Sequence, residues 1–336
     1  MSNQPRVLNR VKEELENYGF GAAGAALLTG RCSLHSELET KLASYTGFEA
    51  ALLYSSGYLA NLGALGALVK KQDWVFHDRL NHASLIDAIL MGKSRHRRYP
   101  HLGLPLISAP DKAKSFLVTE SIFSMDGDKI CTSSLLNYCT DHRATLYIDD
   151  AHGFGITGGG RGIAFDLANH KGSLPEMLLM ITLGKALGST GGVVLASKKD
   201  IDYLVQYSRP FIYDTAPPPV AAAAALEALS VLQESDGALI NLLEKNIRLF
   251  REKAEAAGLP LMDSTCAIRP IIVGDATVAL RLEEHLKKFG IYVRAIRPPT
   301  VPEGRSRLRI TLSSQHSEDQ IKLLVDVLES AFPNGE

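Results

Sequence analysis

MLLMITLGKALGSTGGVVLA, residues 177–196, sets two apolar runs on either side of a glycine-punctuated turn. The runs Met177–Thr182 and Gly192–Ala196 are apolar without alternation, the pattern of strands buried on both faces. Between them a single lysine, Lys185, sits among small residues. A Walker-type phosphate loop puts its glycines before the lysine and Ser or Thr directly after it. Here Ala186 follows Lys185 and most of the glycines come later, so that reading fails. The other candidate is a nucleophilic lysine that forms a Schiff base.

Similar runs recur upstream at Ala50–Tyr54, Trp74–His77, Ser115–Thr119 and Thr145–Ile148. Helical patterns over 57–70 and 133–142 alternate with them, which predicts an α/β fold around a mostly parallel sheet. Ahead of the runs, residues 7–18 and 35–47 read as helices closed by Gly19 and Gly47. The pattern changes after about residue 200. Helices over 218–234, 236–257, 276–289 and 317–331 enclose strand-like Ala267–Val273, Ile291–Ile296 and Arg307–Leu312. A smaller α+β unit with an antiparallel sheet is expected there. The predicted division is an N-terminal helical segment 1–46, a large domain 47–235 and a small C-terminal domain 236–336.

The chain has 336 residues, long for one domain, with 46% hydrophobic and 22% charged residues. A net charge of −1 gives no reason to expect nucleic acid or an anionic membrane as a partner. Arg95, Arg97 and Arg98 form a local basic cluster that reads as a solvated loop. Cys32, Cys131, Cys139 and Cys266 lack metal or redox spacing and read as structural thiols of a reducing cytoplasm. The polar N-terminus has no signal-peptide core, and the Ala-rich run 220–232 is too short to span a bilayer. A cytoplasmic location is expected.

Ligands of α/β sheets bind beyond the carboxyl ends of the strands. Past Ala50–Tyr54 come Ser55, Ser56, Gly57 and Tyr58, a helix start whose free amides favour an anion. Past the next runs come His82, then Glu120 and Ser124, then Asp149, Asp150 and His152, and finally Lys185. Each has an ordinary explanation alone: an N-cap, a structural histidine, an Asp pair for Mg²⁺, a surface lysine. Pyridoxal phosphate uses them jointly, because it needs a lysine for its aldehyde, an acid for its ring nitrogen and an anion site for its phosphate.

TLGKALGSTGG, LYIDDAHGFG, VTESIFSMDGD, DRLNHASLIDA and IRPPTVPEGRSRLRITLS together resemble the α-oxoamine synthase family of fold-type I pyridoxal-phosphate enzymes, from about Gly19 to the end. The resemblance implies an aspartate aminotransferase-like fold and makes Lys185 the Schiff-base lysine. It pairs Asp149 with the ring nitrogen and His152 with the phenolic oxygen, and stacks His82 on the ring. It lines the cofactor end with Gly57, Tyr58, Glu120, Ser124 and Thr182. Thr215, in FIYDTAPPP, is implied to reach the neighbour's phosphate in a homodimer, and Arg309 to bind the amino-acid carboxylate. Burial of Lys185 beside the cofactor is expected to ease its proton transfers.

RPPTVPEG tilts the resemblance toward the biotin-pathway branch, which joins L-alanine to a pimeloyl thioester of CoA or of a carrier protein. Two alternatives stand beside it. One is a relative using glycine or serine with another thioester; the other is a shortened, non-catalytic partner subunit, against which retention of Lys185, Asp149, His82, His152 and Arg309 argues. The sequence departs from the family in three places. It lacks the NDYLGL-like segment that borders the family's pocket ahead of Gly19; it carries Asp214 where Ser or Thr is usual beside the phosphate; and it has Ala26 where a basic residue is common.

Overall fold

The computed structural model describes residues 1–110 and 113–332. The chain divides into two compact units, one of Met1–Ile122 with Ile130–Asp236, the other of Phe123–Lys129 with Gly237 onward. Residues 1–46 thus cluster with the larger unit, and the short segment Phe123–Lys129 clusters with the smaller one.

In the larger unit, helices α1 (Pro5–Tyr18) and α2 (Ser33–Thr46) precede strand β1 (Ala50–Tyr54). There follow α3 (Gly57–Leu68), β2 (Trp74–Asp78), α4 (Ala83–Met91), β3 (Arg95–Tyr99) and β4 (Ser115–Glu120). Then come α5 (Thr132–His142), β5 (Thr145–Asp149), α6 (Ile163–Ala168), β6 (Met177–Thr182) and β7 (Gly192–Ala196). Helices α7 (Lys198–Tyr207), α8 (Arg209–Ile212) and α9 (Pro219–Glu234) complete it. The sheet has seven strands in the order β1-β7-β6-β5-β4-β2-β3. Only β7 runs against the rest, pairing antiparallel with both β1 and β6. The carboxyl ends of β1, β2, β4, β5 and β6 therefore share one edge, which β7 enters at Gly192.

The unbroken apolar runs are explained by burial on both faces: β4 and β7 are buried throughout. Helix α3, GYLANLGALGAL, is apolar nearly all round and packs into the core with Leu52, Val75, Val118, Met180 and Val194. Gly47, with φ 81°, takes the left-handed turn that ends α2.

One expectation is corrected here. The basic cluster at Arg95, Arg97 and Arg98 is not a loop but the edge strand β3, parallel to β2. Its polar composition hid it, yet an edge strand need bury neither face, and charges there discourage further strand pairing. Cys131 also departs from the expectation of a packed thiol, because it is exposed.

The smaller unit packs α10 (Ala238–Ala256), β8 (Ile268–Gly274), α11 (Ala276–Lys288), β9 (Arg294–Ile296), β10 (Ser306–Thr311) and α12 (Glu318–Ala331). Its three-stranded sheet, β8-β10-β9, is antiparallel throughout. Strand β9 is shorter than the apolar run from Ile291 suggested, because it pairs with β10 only from Arg294 to Ile296.

Candidate active site

The carboxyl edge of the seven-stranded sheet carries Gly57 and Tyr58 after β1, His82 after β2, Glu120 at the end of β4, Asp149 and His152 at and after the end of β5, and Thr182 and Lys185 at and after the end of β6. Ser56 caps α3 by accepting from the Leu59 N–H at 3.2 Å. The amides of Gly57 and Tyr58 lie in the first turn, ahead of any acceptor the helix itself supplies. A Cβ on Gly192 would meet the backbone of Gly57 at 2.5 Å, so only glycine lets β7 pass this helix start. Thr182 does not offer a free hydroxyl. Its Oγ1 donates to the Gly191 carbonyl at 3.2 Å and accepts from the Gly184 N–H at 3.3 Å, which closes the turn around Lys185.

Lys185 Nζ lies 2.8 Å from His152 Nε2. Lys185 is exposed along this edge. Its turn stands beyond the sheet edge, and the neighbouring Gly184 is exposed and has no side chain to cover it.

Two carboxyls stand side by side, Glu120 on β4 opposite Asp149 on β5. Both are buried, at 3% and 4% exposure. Burial pushes both upward, and the charge of Asp149 pushes Glu120 further. Asp149 receives donors from Asn61 Nδ2 at 2.8 Å and the Ala151 N–H at 3.0 Å. Glu120 receives the His82 N–H at 2.6 Å. Asp149 thus has two donors against one on Glu120, and those donors oppose the upward push of burial on Asp149. Asp150 has separate work: Ser121 Oγ and the Ile163 N–H at 3.0 Å both donate to it and tie down the loop after β5.

His82 caps α4, and its Nδ1 lies 2.8 Å from Ser84 Oγ and 3.2 Å from the Ser84 N–H. Its ring meets Tyr58 edge-on, with centroids 6.5 Å apart. Sequence reasoning missed Asn61, Ser84 and Tyr147. Asn61 Nδ2 also donates to Ser84 Oγ at 2.9 Å, and the Tyr147 hydroxyl donates to Asn61 Oδ1 at 2.8 Å. The available signal was a lone asparagine inside the otherwise apolar α3.

Thr215 is exposed and bridges to Ala25. Its neighbour Asp214 accepts a hydrogen bond from Ser55, one residue before the cap of α3. The acid thus stands beside the helix start instead of pointing away.

In the smaller unit, Arg309 and Ser124 come together: Arg309 Nε donates to the Ser124 carbonyl at 2.6 Å, and its Nη1 to Thr311 Oγ1 at 3.1 Å. Ser124 therefore meets Arg309 through its backbone. Burial pulls both the Arg307 and Arg309 guanidiniums downward. Arg307 is 3% exposed and paired with Asp126, whereas Arg309 has no carboxylate partner among the described residues. Gly127, φ 72°, holds this segment against the small unit: a Cβ there would meet the Ile268 carbonyl at 2.6 Å.

The family model for aminotransferase class I and II matches residues 1–328. An 8-amino-7-oxononanoate synthase of Pseudomonas putida is 43% identical over 340 aligned positions, covering 100% of this chain and 86% of the relative. One from Thioalkalivibrio sulfidiphilus is 41% identical, with 100% and 86% covered. Among solved structures, 8-amino-7-oxononanoate synthase from Francisella tularensis superposes with a TM-score of 0.81 at 30% identity, covering 98% of this chain and 93% of that one. A structure of SPT with PLP internal aldimine superposes with a TM-score of 0.92 at 28% identity, covering 98% and 84%. Whole-chain likeness of this degree, together with the fold and the residues at its sheet edge, places the protein: the chain belongs to the aminotransferase class I and II family, on its α-oxoamine synthase branch.

Proposed function

We propose that this protein is an 8-amino-7-oxononanoate synthase, which uses pyridoxal phosphate to join L-alanine to a pimeloyl thioester with release of CO₂ and the free thiol. The observation that carries this reading is the 43% identity to 8-amino-7-oxononanoate synthases along the entire chain. The site's chemistry supports it. A buried carboxylate, an amine beside an imidazole and a helix start with free amides are what the cofactor's ring nitrogen, aldehyde and phosphate need.

Pyridoxal phosphate, when bound, supplies a carbonyl for the amino group and a sink for the electrons left at Cα. In this reading the chain's own groups do the rest. Asp149 would accept the ring N–H and keep that nitrogen protonated. His82 would pack against the ring, and the amides of Gly57 and Tyr58 would take the phosphate. Lys185 would anchor the cofactor, remove the Cα proton of alanine and return a proton at the end. His152, 2.8 Å away, orients that amine. Arg309 holds the alanine carboxylate with two parallel donors until it leaves as CO₂. We read the protein as a cytoplasmic homodimer in which the exposed Thr215 serves the neighbour's phosphate; among the described residues no helix is long and apolar enough to cross a membrane.

Product analysis tests the reading. Alanine, glycine and serine are each offered with pimeloyl-CoA, pimeloyl-carrier protein and palmitoyl-CoA. Alanine with a pimeloyl donor is expected to give 8-amino-7-oxononanoate, and the better pimeloyl donor identifies the natural thioester. Preference for serine with the palmitoyl donor would replace this reading with that of the structurally similar SPT. Turnover by Lys185→Ala would sink the lysine assignment.

A further inference from the structure

The buried polar residues behind His82 and Asp149 form a chain whose hydrogen bonds have a fixed direction. Tyr147, Asn61 and Ser84 are all at 0% exposure, so each donor must find its acceptor within the protein. Asp149 accepts from the Ala151 N–H at one oxygen, and the side of Asn61 facing its other oxygen at 2.8 Å is the NH₂ group. That leaves Asn61 Oδ1 to accept from the Tyr147 hydroxyl at 2.8 Å, and the second amide hydrogen to point at Ser84 Oγ at 2.9 Å. The Ser84 backbone N–H can only donate, and it donates to His82 Nδ1. Nδ1 is therefore unprotonated, the Ser84 hydroxyl donates to it as well, and the ring's hydrogen is on Nε2.

We propose that Asn61 and Ser84 are positioning residues for the reaction: with the Ser84 backbone N–H setting His82 as the Nε2–H tautomer, one side-chain hydrogen-bond relay through Ser84 and Asn61 ties the orientation of its ring to that of the Asp149 carboxylate. Resting on the functional reading above, the relay gives the cofactor ring two partners set by a single asparagine. One would be the Asp149 carboxylate for its nitrogen; the other would be the Nε2–H imidazole of His82 against the ring. It also accounts for a polar residue in the middle of α3, where leucine or alanine would pack without a partner.

The test reads the imidazole directly. The full-length protein, labelled with ¹⁵N-histidine, is observed by NMR at pH 7.5 with and without added pyridoxal phosphate, and His82→Asn assigns the signal. The wild type is expected to show His82 Nδ1 unprotonated and Nε2 protonated in both states. Asn61→Ala and Ser84→Ala should each move the His82 ring signals and leave the other histidines in place, and the double variant should match Ser84→Ala alone, because Asn61 reaches His82 only through Ser84. Each single variant should bind pyridoxal phosphate about tenfold more weakly, the effect of one hydrogen bond lost behind a charged group. A protonated Nδ1 in the wild type overturns the relay. So does an Asn61→Ala effect on His82 that persists in the Ser84→Ala background. If Asn61→Ala does not fold, the wild-type tautomer and Ser84→Ala decide alone. The NMR result involves no substrate, so it separates failure of the relay from failure of the functional reading: a correct tautomer in a protein that binds no pyridoxal phosphate would sink the latter.

Discussion

The two arginines of β10 offer a sharp test, because they lie two residues apart with different surroundings. Arg309 commits Nε to the Ser124 carbonyl and one Nη1 hydrogen to Thr311, and keeps Nη2 with no protein acceptor among the described residues. Its outer edge can thus present two parallel N–H groups to a carboxylate. Lysine in its place keeps the charge but offers a point contact, so at least one charge-assisted hydrogen bond is lost. Such a bond contributes about 1.5–3 kcal/mol, or about ten- to a hundredfold in affinity. Arg309→Lys should therefore raise KM for alanine by about ten- to a hundredfold at saturating pimeloyl thioester, with kcat changed much less. Arg309→Ala should exceed that range. Arg307 is buried and paired with the partly exposed Asp126, so Arg307→Ala leaves that carboxylate without its cation. It should lower stability by about 1–3 kcal/mol and leave KM near wild type in the protein that remains folded. Steady-state kinetics and urea unfolding on the three variants decide the matter. An unchanged alanine KM in Arg309→Lys, or a KM effect that follows Arg307 instead, would refute the assignment.

Two further outcomes follow from local electrostatics. Asp214→Ser removes a negative charge held by Ser55 beside the first turn of α3, and should tighten the dissociation constant for pyridoxal phosphate; an unchanged or weaker constant would show that Asp214 does not face the phosphate. His77 is buried, and burial pulls its imidazole down from 6.5 to about 4. The unfolded chain takes up that proton first, so stability is complete above about pH 6.5 and falls as pH drops toward 4. The pH dependence of the urea midpoint should flatten over that window in His77→Gln. A slope identical to wild type would mean that His77 is not the group responsible. His35 and His316, pulled the same way by burial, account for any slope that remains.

Much of the larger unit was legible because its strands are buried on both faces. Runs such as Ala50–Tyr54 and Gly192–Ala196 match the observed strands end to end. Strand β3 was not legible, since RHRRY carries no burial signal at a sheet edge. The residues past the strand ends could be named because parallel topology makes strand ends converge. Asn61, Ser84 and Tyr147 could not, because their importance lies in contacts up to 88 positions apart, such as Asn61 with Asp149.

The sequence alone determined the fold class, the family and the candidate chemistry, because apolar periodicity and the local motifs around Lys185, Asp149 and Arg309 are properties of short stretches of chain. Tertiary structure decided what depends on through-space neighbours. It showed that Glu120 and Asp149 share one buried environment, that Arg307 is locked by Asp126 while Arg309 is not, and that Lys185 is exposed next to His152. It also showed that the acid at Asp214 stands by the start of α3. Burial and hydrogen-bond partners set the charge and direction of each group, and neither is written in the order of residues along the chain.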